Sequence, residues 1–375
     1  MPPHVPPEPA PATTPEVKPR TPPAGPPPPG PPSDRASPGG WLDPGPFLRG
    51  VAWRDGARVV RADPADLDRL AWDTRERAAL PIGVRLEFTA PGGTKAVRIR
   101  YRARVPDAKD ALRDLAHCFS LWHGDRCVRE SFTEPAEEAT VTLELPSGEG
   151  PFTIHPPESQ APVILGLRGV GGRVAPAPGR PRWVVHGDSI TEGWWSTRPA
   201  HSWPATTGRA LGLDTVNLGY AGCARGELPT AQHLARLPAE LLTLAFGTNC
   251  WSRTPHTAPL MYETVRVFVT LVRQGHPDTP LLLLSPVLRP EAESTPNAVG
   301  ATLAQLRTAM ESAVRDLMAE GDRRLALLPG RRLLTARHLA DGLHPNDSGH
   351  ALIAAAVGQA LRTAGFAEPG ISPAA

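Results

Sequence analysis

Lysine is nearly missing from this chain: it occurs only at Lys18, Lys95 and Lys109, and arginine carries almost all the basic charge. With abundant alanine and proline, that bias reads as GC-rich coding and says little about function. The formal net charge is only +2 and the two signs are intermixed, which argues against nucleic acid as the main partner. Cysteine is scarce as well. Cys118, Cys127, Cys223 and Cys250 form no C-x-x-C pair, so the usual spacings of a zinc ribbon or a redox motif are absent. A two-residue turn at Gly124-Asp125 sets Cys127 opposite Trp122 and not opposite Cys118, so the four thiols are read as free and buried. No apolar run approaches the roughly 20 residues of a membrane span, and no apolar h-region follows Met1, which points to a cytoplasmic protein without a membrane partner.

Proline is the exception to this scarcity. More than a third of the 47 prolines lie in residues 1–40, among almost no large apolar side chains. Such a segment cannot bury enough surface to offset chain entropy, so residues 1–40 are expected to be a disordered or polyproline-II tail. A spacer is the preferred reading, with a docking peptide for a proline-recognising partner as its alternative.

Residues 41–174 change character. Runs such as 83–88, 96–101 and 139–145 alternate apolar and polar at period two, between turns at Pro91-Gly92-Gly93, Pro106 and Pro146-Ser147-Gly148. Short, regularly spaced strands of this kind predict an antiparallel, jelly-roll-like β-sandwich. A Pro/Gly-rich linker at 175–181 follows. From 182 to 375 the pattern becomes apolar strand then helix, with strands near 183–187, 214–218, 241–246, 281–285 and 324–328 and helices near 202–211, 228–237, 259–274, 297–319 and 347–363. That alternation predicts an α/β domain with a parallel sheet covered by helices on both faces.

Four short segments in this last domain carry chemistry. Ser189, in Gly187-Asp188-Ser189-Ile190, follows a buried strand, so its hydroxyl is expected at the carboxyl edge where open α/β sheets bind ligands. A serine hydroxyl is a poor nucleophile without a base. His344 is the candidate base, and Asp341, three residues earlier, is the carboxylate that would fix its tautomer. The oxyanion that forms on an attacked carbonyl needs donors. The backbone N–H groups of Ser189 and Gly222 and the side-chain amide of Asn249, in Gly247-Thr248-Asn249, can supply them.

These blocks, taken in order, resemble the SGNH hydrolases, the GDSL esterase/lipase family, over roughly the last 195 residues. The resemblance implies a flavodoxin-like doubly wound sheet, a serine nucleophile, a three-donor oxyanion hole and no metal or other cofactor. Several members carry a preceding β-sandwich. The residue after Gly-Thr-Asn, often Asp in the family, is here Cys250, followed by Trp251. The implied activity is hydrolysis of a carboxylic ester through an acyl-enzyme at Ser189. The substrate expected from sandwich-bearing relatives is a small, acetyl-like O-acyl group on a sugar or secondary metabolite, with Trp194, Trp195 and Trp251 offering flat surfaces beside it. An acyltransferase on the same fold and a non-catalytic glycan-binding protein are the alternatives. A metal reading of His338, Asp341, His344, Asp347 and His350, spaced by three, is disfavoured because Pro345 interrupts any helix through them. Nothing in the sequence marks an oligomeric state.

Overall fold

The computed structural model describes residues 40–104 and 117–367. The proline-rich tail, apart from Gly40, lies outside them. Five strands, β1 (Arg182–Gly187), β2 (Asp214–Gly219), β3 (Leu241–Ala245), β4 (Leu281–Leu284) and β5 (Leu325–Leu328), pair in parallel in the order β2-β1-β3-β4-β5. This is the flavodoxin-like order, whose switch point lies between β1 and β3. The four leucines of β4 are all buried, as a strand covered on both faces requires.

Helices α1 (Ser189–Glu192), α2 (Trp203–Leu211), α3 (Leu228–Arg236), α4 (Asn249–Ser252), α5 (Ala258–Arg273), α6 (Leu303–Ala319) and α7 (Asp347–Thr363) connect or follow the strands. Alternate strand residues point to opposite faces. Val184, Val216, Leu242 and Leu244 pack with Leu234, Phe268 and Met310 of α3, α5 and α6. Trp183, Val185, Leu282 and Leu284 pack with Trp203, Ile353 and Val357 of α2 and α7. The sheet is therefore wound on both sides, as expected. One helix starts later than its pattern predicts, at Leu303 instead of 297. Thr302 and Gln305 form a reciprocal capping box that fixes the start, while the Asn297 side chain accepts from the Val299 and Ala301 N–H groups and holds the preceding residues in a loop.

The N-terminal part is antiparallel. One sheet orders Leu48–Arg49, Arg85–Thr89, Phe152–His155, Cys118–His123 and Arg126–Phe132; a second orders Val163–Val170, Ala96–Arg102 and Ala139–Glu144. Leu86, Phe88, Phe119 and Ile154 of the first meet Val97, Ile99, Leu143 and Leu167 of the second in one core. Cys127 stands opposite Trp122, and Cys118 opposite Phe132. Cys118, Cys223 and Cys250 are buried, but Cys127 is exposed, because Arg126–Phe132 is an edge strand with almost every residue facing solvent. The stretch expected as a linker is partly sheet: Ala175–Pro176 pairs with Phe88–Thr89, and the Ala177 N–H bonds Glu87 O. Among the described residues no helix is long and apolar enough to cross a membrane.

Candidate active site

The turn between β1 and α1 is tight. A Cβ at Gly187 would come within 2.1 Å of Thr191 Oγ1 and 2.3 Å of the Ala245 carbonyl, so only glycine fits. Asp188 is the N-cap of α1, and its Oδ1 accepts the Ile190 N–H at 3.0 Å. Burial pushes the Asp188 carboxyl up to about 7. Ser189, next in the chain, is thereby delivered to the carboxyl edge of β1 beside the switch point.

His344 reaches it from the short segment before α7. Its Nε2 lies 2.9 Å from Ser189 Oγ, and its Nδ1 lies 2.7 Å from Asp341 Oδ2. The Asp341 carboxylate is fully engaged: Oδ1 accepts the Leu343 N–H at 3.0 Å and the His344 N–H at 2.7 Å, and Oδ2 also accepts the Trp195 indole N–H at 2.7 Å. Burial alone would raise this carboxyl, but the His344 backbone and ring and the Trp195 indole hold it well below the usual carboxylate range. Burial lowers the His344 imidazole, against the pull of Asp341 in the other direction. At neutral pH the ring is uncharged. With Nδ1–H donating to Asp341, Nε2 is left as the acceptor for the Ser189 hydroxyl.

The expected oxyanion donors sit around the same turn. Gly222 has φ +74° with nothing within 4 Å of a would-be Cβ, so its backbone conformation, not crowding, calls for glycine. No acceptor among the described residues takes the N–H of Ser189 or of Gly222. Asn249, the first residue of α4, donates from Nδ2 to the Cys223 carbonyl at 2.5 Å. That bond ties the β3 edge to the Gly222 loop and leaves the second amide hydrogen.

Three further groups bear on this site, and no local motif announces them. Glu192, at the end of α1, is enclosed: Arg77 and Arg61 pair with it, Trp194 Nε1 donates to it at 3.2 Å, and the Ala221 N–H donates to it at 2.8 Å. Arg61 also donates to the Gly219 carbonyl, and Tyr220 Oη donates to the Arg61 carbonyl. The third is Trp195. The tryptophan pair, read from sequence as flat surfaces, has a polar use: the rings of Trp194 and Trp195 lie 5.3 and 6.3 Å from the His344 ring, and the Trp195 N–H bonds the Pro345 carbonyl at 2.7 Å.

Of the histidines and carboxylates spaced by three, Asp341 and His344 meet, and His338, Asp347 and His350 do not join them. His338 takes the Thr335 N–H, Asp347 accepts from Thr197 and contacts His201, and His350 bonds the Trp194 carbonyl and the Trp203 N–H.

Residues 185–352 match the model of the GDSL-like lipase/acylhydrolase family. This segment belongs to the SGNH hydrolases. Solved structures repeat the architecture well beyond that segment. The salicylyl-acyltransferase SsfX3 from a tetracycline biosynthetic pathway is 23% identical, with a TM-score of 0.74 over 85% of this chain and 94% of its own. A GDSL-like lipase from Bacteroides ovatus is 20% identical, with a TM-score of 0.70 over 86% and 96%. A family two carbohydrate esterase from Clostridium thermocellum, in complex with cellohexaose, is 17% identical, with a TM-score of 0.56 over 76% and 92%. At these identities the likeness is one of fold, antiparallel N-terminal part included. No curated protein sequence matches this chain. The family match supports an ester-hydrolysing enzyme.

Proposed function

We propose that the protein is a serine esterase that removes a small, acetyl-like O-acyl group from a sugar or secondary metabolite through an acyl-enzyme at Ser189. The observation that carries this reading is the unbroken hydrogen-bond chain from Ser189 Oγ through His344 to Asp341. In the first half-reaction His344 Nε2 takes the hydroxyl proton as Oγ attacks the ester carbonyl, and Asp341 stabilises the imidazolium that forms. The Ser189 and Gly222 N–H groups and the Asn249 amide hold the oxyanion. The imidazolium then protonates the departing alcohol, and in the second half-reaction the neutral imidazole activates the water that releases the acid. The alcohol class is supported by neighbours named as carbohydrate esterases.

Ser189→Ala tests the assignment. The variant is expected to lose both p-nitrophenyl acetate hydrolysis and fluorophosphonate labelling while keeping its melting temperature. Full labelling of the variant would remove Ser189 from its role. The acyltransferase neighbour favours a second reading, in which an alcohol replaces water at the acyl-enzyme. Product analysis with an added acceptor alcohol separates the two, since transfer diverts acyl groups from free acid to a new ester.

A further inference from the structure

Buried arginines in this protein are, as a rule, matched by carboxylates. Arg307 pairs with Glu293, Arg85 with Glu87 and Asp214, and Arg77 with Glu192. Arg289 breaks the pattern, as does Arg209, which lies over Trp122 with the 86%-exposed Asp125 at 3.6 Å; of the two, Arg289 is the one that packs on the helix beginning with Asn249. Its side chain is 11% exposed, yet its carboxylate contact is Glu291 at 3.5 Å, whose own side chain is 70% exposed. A pair of that kind contributes little, whereas a largely desolvated guanidinium without a matched anion is costly. Glu293 does not fill the gap: it accepts the Arg289 backbone N–H at 3.3 Å, but its carboxylate is engaged by Arg307 and Arg331.

The other contacts orient the group instead of neutralising it. The guanidinium lies 4.5 Å over the Trp251 ring and donates to Ser252 Oγ at 3.1 Å, while its buried Nε has no partner among the described residues. Trp251 and Ser252 belong to α4, the helix that begins with Asn249, and Arg289 follows β4 at the same carboxyl edge. Behind the larger effect of burial, its charge favours the neutral His344 ring and the ionised Asp188 carboxyl.

We propose that Arg289, laid across Trp251 beside the Ser189 site, receives an anionic group of the substrate, a carboxylate or phosphate borne near the scissile ester. A planar guanidinium held on an aromatic face is a fixed fork for such a group, and pairing there supplies the counter-charge that the protein does not. This assignment rests on the serine-esterase reading and narrows it to acidic esters.

The test compares kcat/KM on three esters: p-nitrophenyl acetate, mono-p-nitrophenyl succinate with a carboxylate on the acyl side, and 4-acetoxybenzoate with a carboxylate on the leaving side. In Arg289→Met the charged-over-neutral ratio is expected to fall at least about tenfold for one of the two acids, mainly through KM, and the affected acid tells which side Arg289 reads. Arg289→Lys, which keeps the charge and loses the fork, is expected to fall between. Succinate should also inhibit hydrolysis of the neutral ester by the wild type more strongly than by the Met variant. Ratios within twofold of wild type for both acids, with no difference in succinate inhibition, would overturn the assignment and leave the esterase reading standing. Failure of the wild type to turn over any of the three, with Ser189 unlabelled, would overturn both.

Discussion

Replacing Glu192 by Gln is the sharpest probe of how the site is held. The Glu192 side chain is 0% exposed, and its two basic partners, Arg61 and Arg77, are 1% and 9% exposed. The substitution keeps shape and hydrogen-bonding atoms but removes the negative charge, leaving two buried guanidiniums without it. Breaking a buried pair in this way costs about 3–5 kcal/mol. At roughly 2–4 °C per kcal/mol for chains of 150–250 residues, and about 1.5 °C for one of this length, the melting temperature should fall by about 4–8 °C. Catalysis should suffer separately. Glu192 accepts the Ala221 N–H at 2.8 Å, and Ala221 precedes Gly222. Exchanging a charged acceptor for a neutral one loses about 1 kcal/mol, so kcat should drop roughly fivefold if that order is needed only in the transition state. Differential scanning fluorimetry and steady-state kinetics on p-nitrophenyl acetate read the two effects. Adding Arg77→Met to the Gln variant should cost less than the sum of the single changes, because the charge stranded by the first is removed by the second. A melting temperature within 2 °C of wild type would refute the idea that this charge cluster braces the site.

Trp195→Phe keeps the ring against His344 and deletes the donor to Asp341 Oδ2; because the Asp341 side chain is 40% exposed, water replaces part of the bond, and kcat should fall only about five- to tenfold, with a shifted pH–rate inflection that a purely structural role would not produce. Asn249→Ala should lower kcat by about 10²–10³ with little change in KM; a rise in KM at constant kcat would make Asn249 a substrate contact instead. His344 must be uncharged to act as base, and its burial lowers its pKa below the ordinary 6.5, so kcat/KM should rise with pH as the ring loses its proton and level off by neutrality. An inflection above pH 7 would contradict that sign.

The parts of this protein legible in the sequence are those written in local pattern. The run Leu281-Leu282-Leu283-Leu284 announces a doubly covered strand because a strand buried on both faces tolerates no polar position. The places of Ser189, Gly222, Asn249 and the Asp341/His344 pair at strand ends and in short turns are legible because the residue types there follow the local backbone pattern. What escaped is long-range pairing. Glu192 finds Arg77 across 115 positions of sequence and Trp195 finds Asp341 across 146, and no periodicity links such residues before the fold does. The start of α6 escaped for the opposite reason: Asn297 and Thr302 are both good capping residues, and the capping box with Gln305 decides between them.

The same long-range pairs explain why the antiparallel part should matter to chemistry that takes place elsewhere. β2 is an edge strand of the parallel sheet, and an open edge leaves backbone groups unpaired. The N-terminal residues occupy that edge. Arg85 donates to the Thr215 carbonyl at 3.0 Å and pairs with Asp214, the Gly50 N–H bonds Asp214 at 2.8 Å, and Arg61 donates to the Gly219 carbonyl. Both ends of β2 are therefore pinned from residues 50–85, and the loop that leaves its carboxyl end, Tyr220-Ala221-Gly222, is held by Arg61 through Tyr220 and by Glu192 through Ala221. Gly222 is the one proposed oxyanion donor outside the β1 and β3 turns. Its position is thus set by residues 50–85 as much as by the parallel sheet itself, so changes at Arg61 or Arg85 should appear in kcat before they appear in substrate affinity.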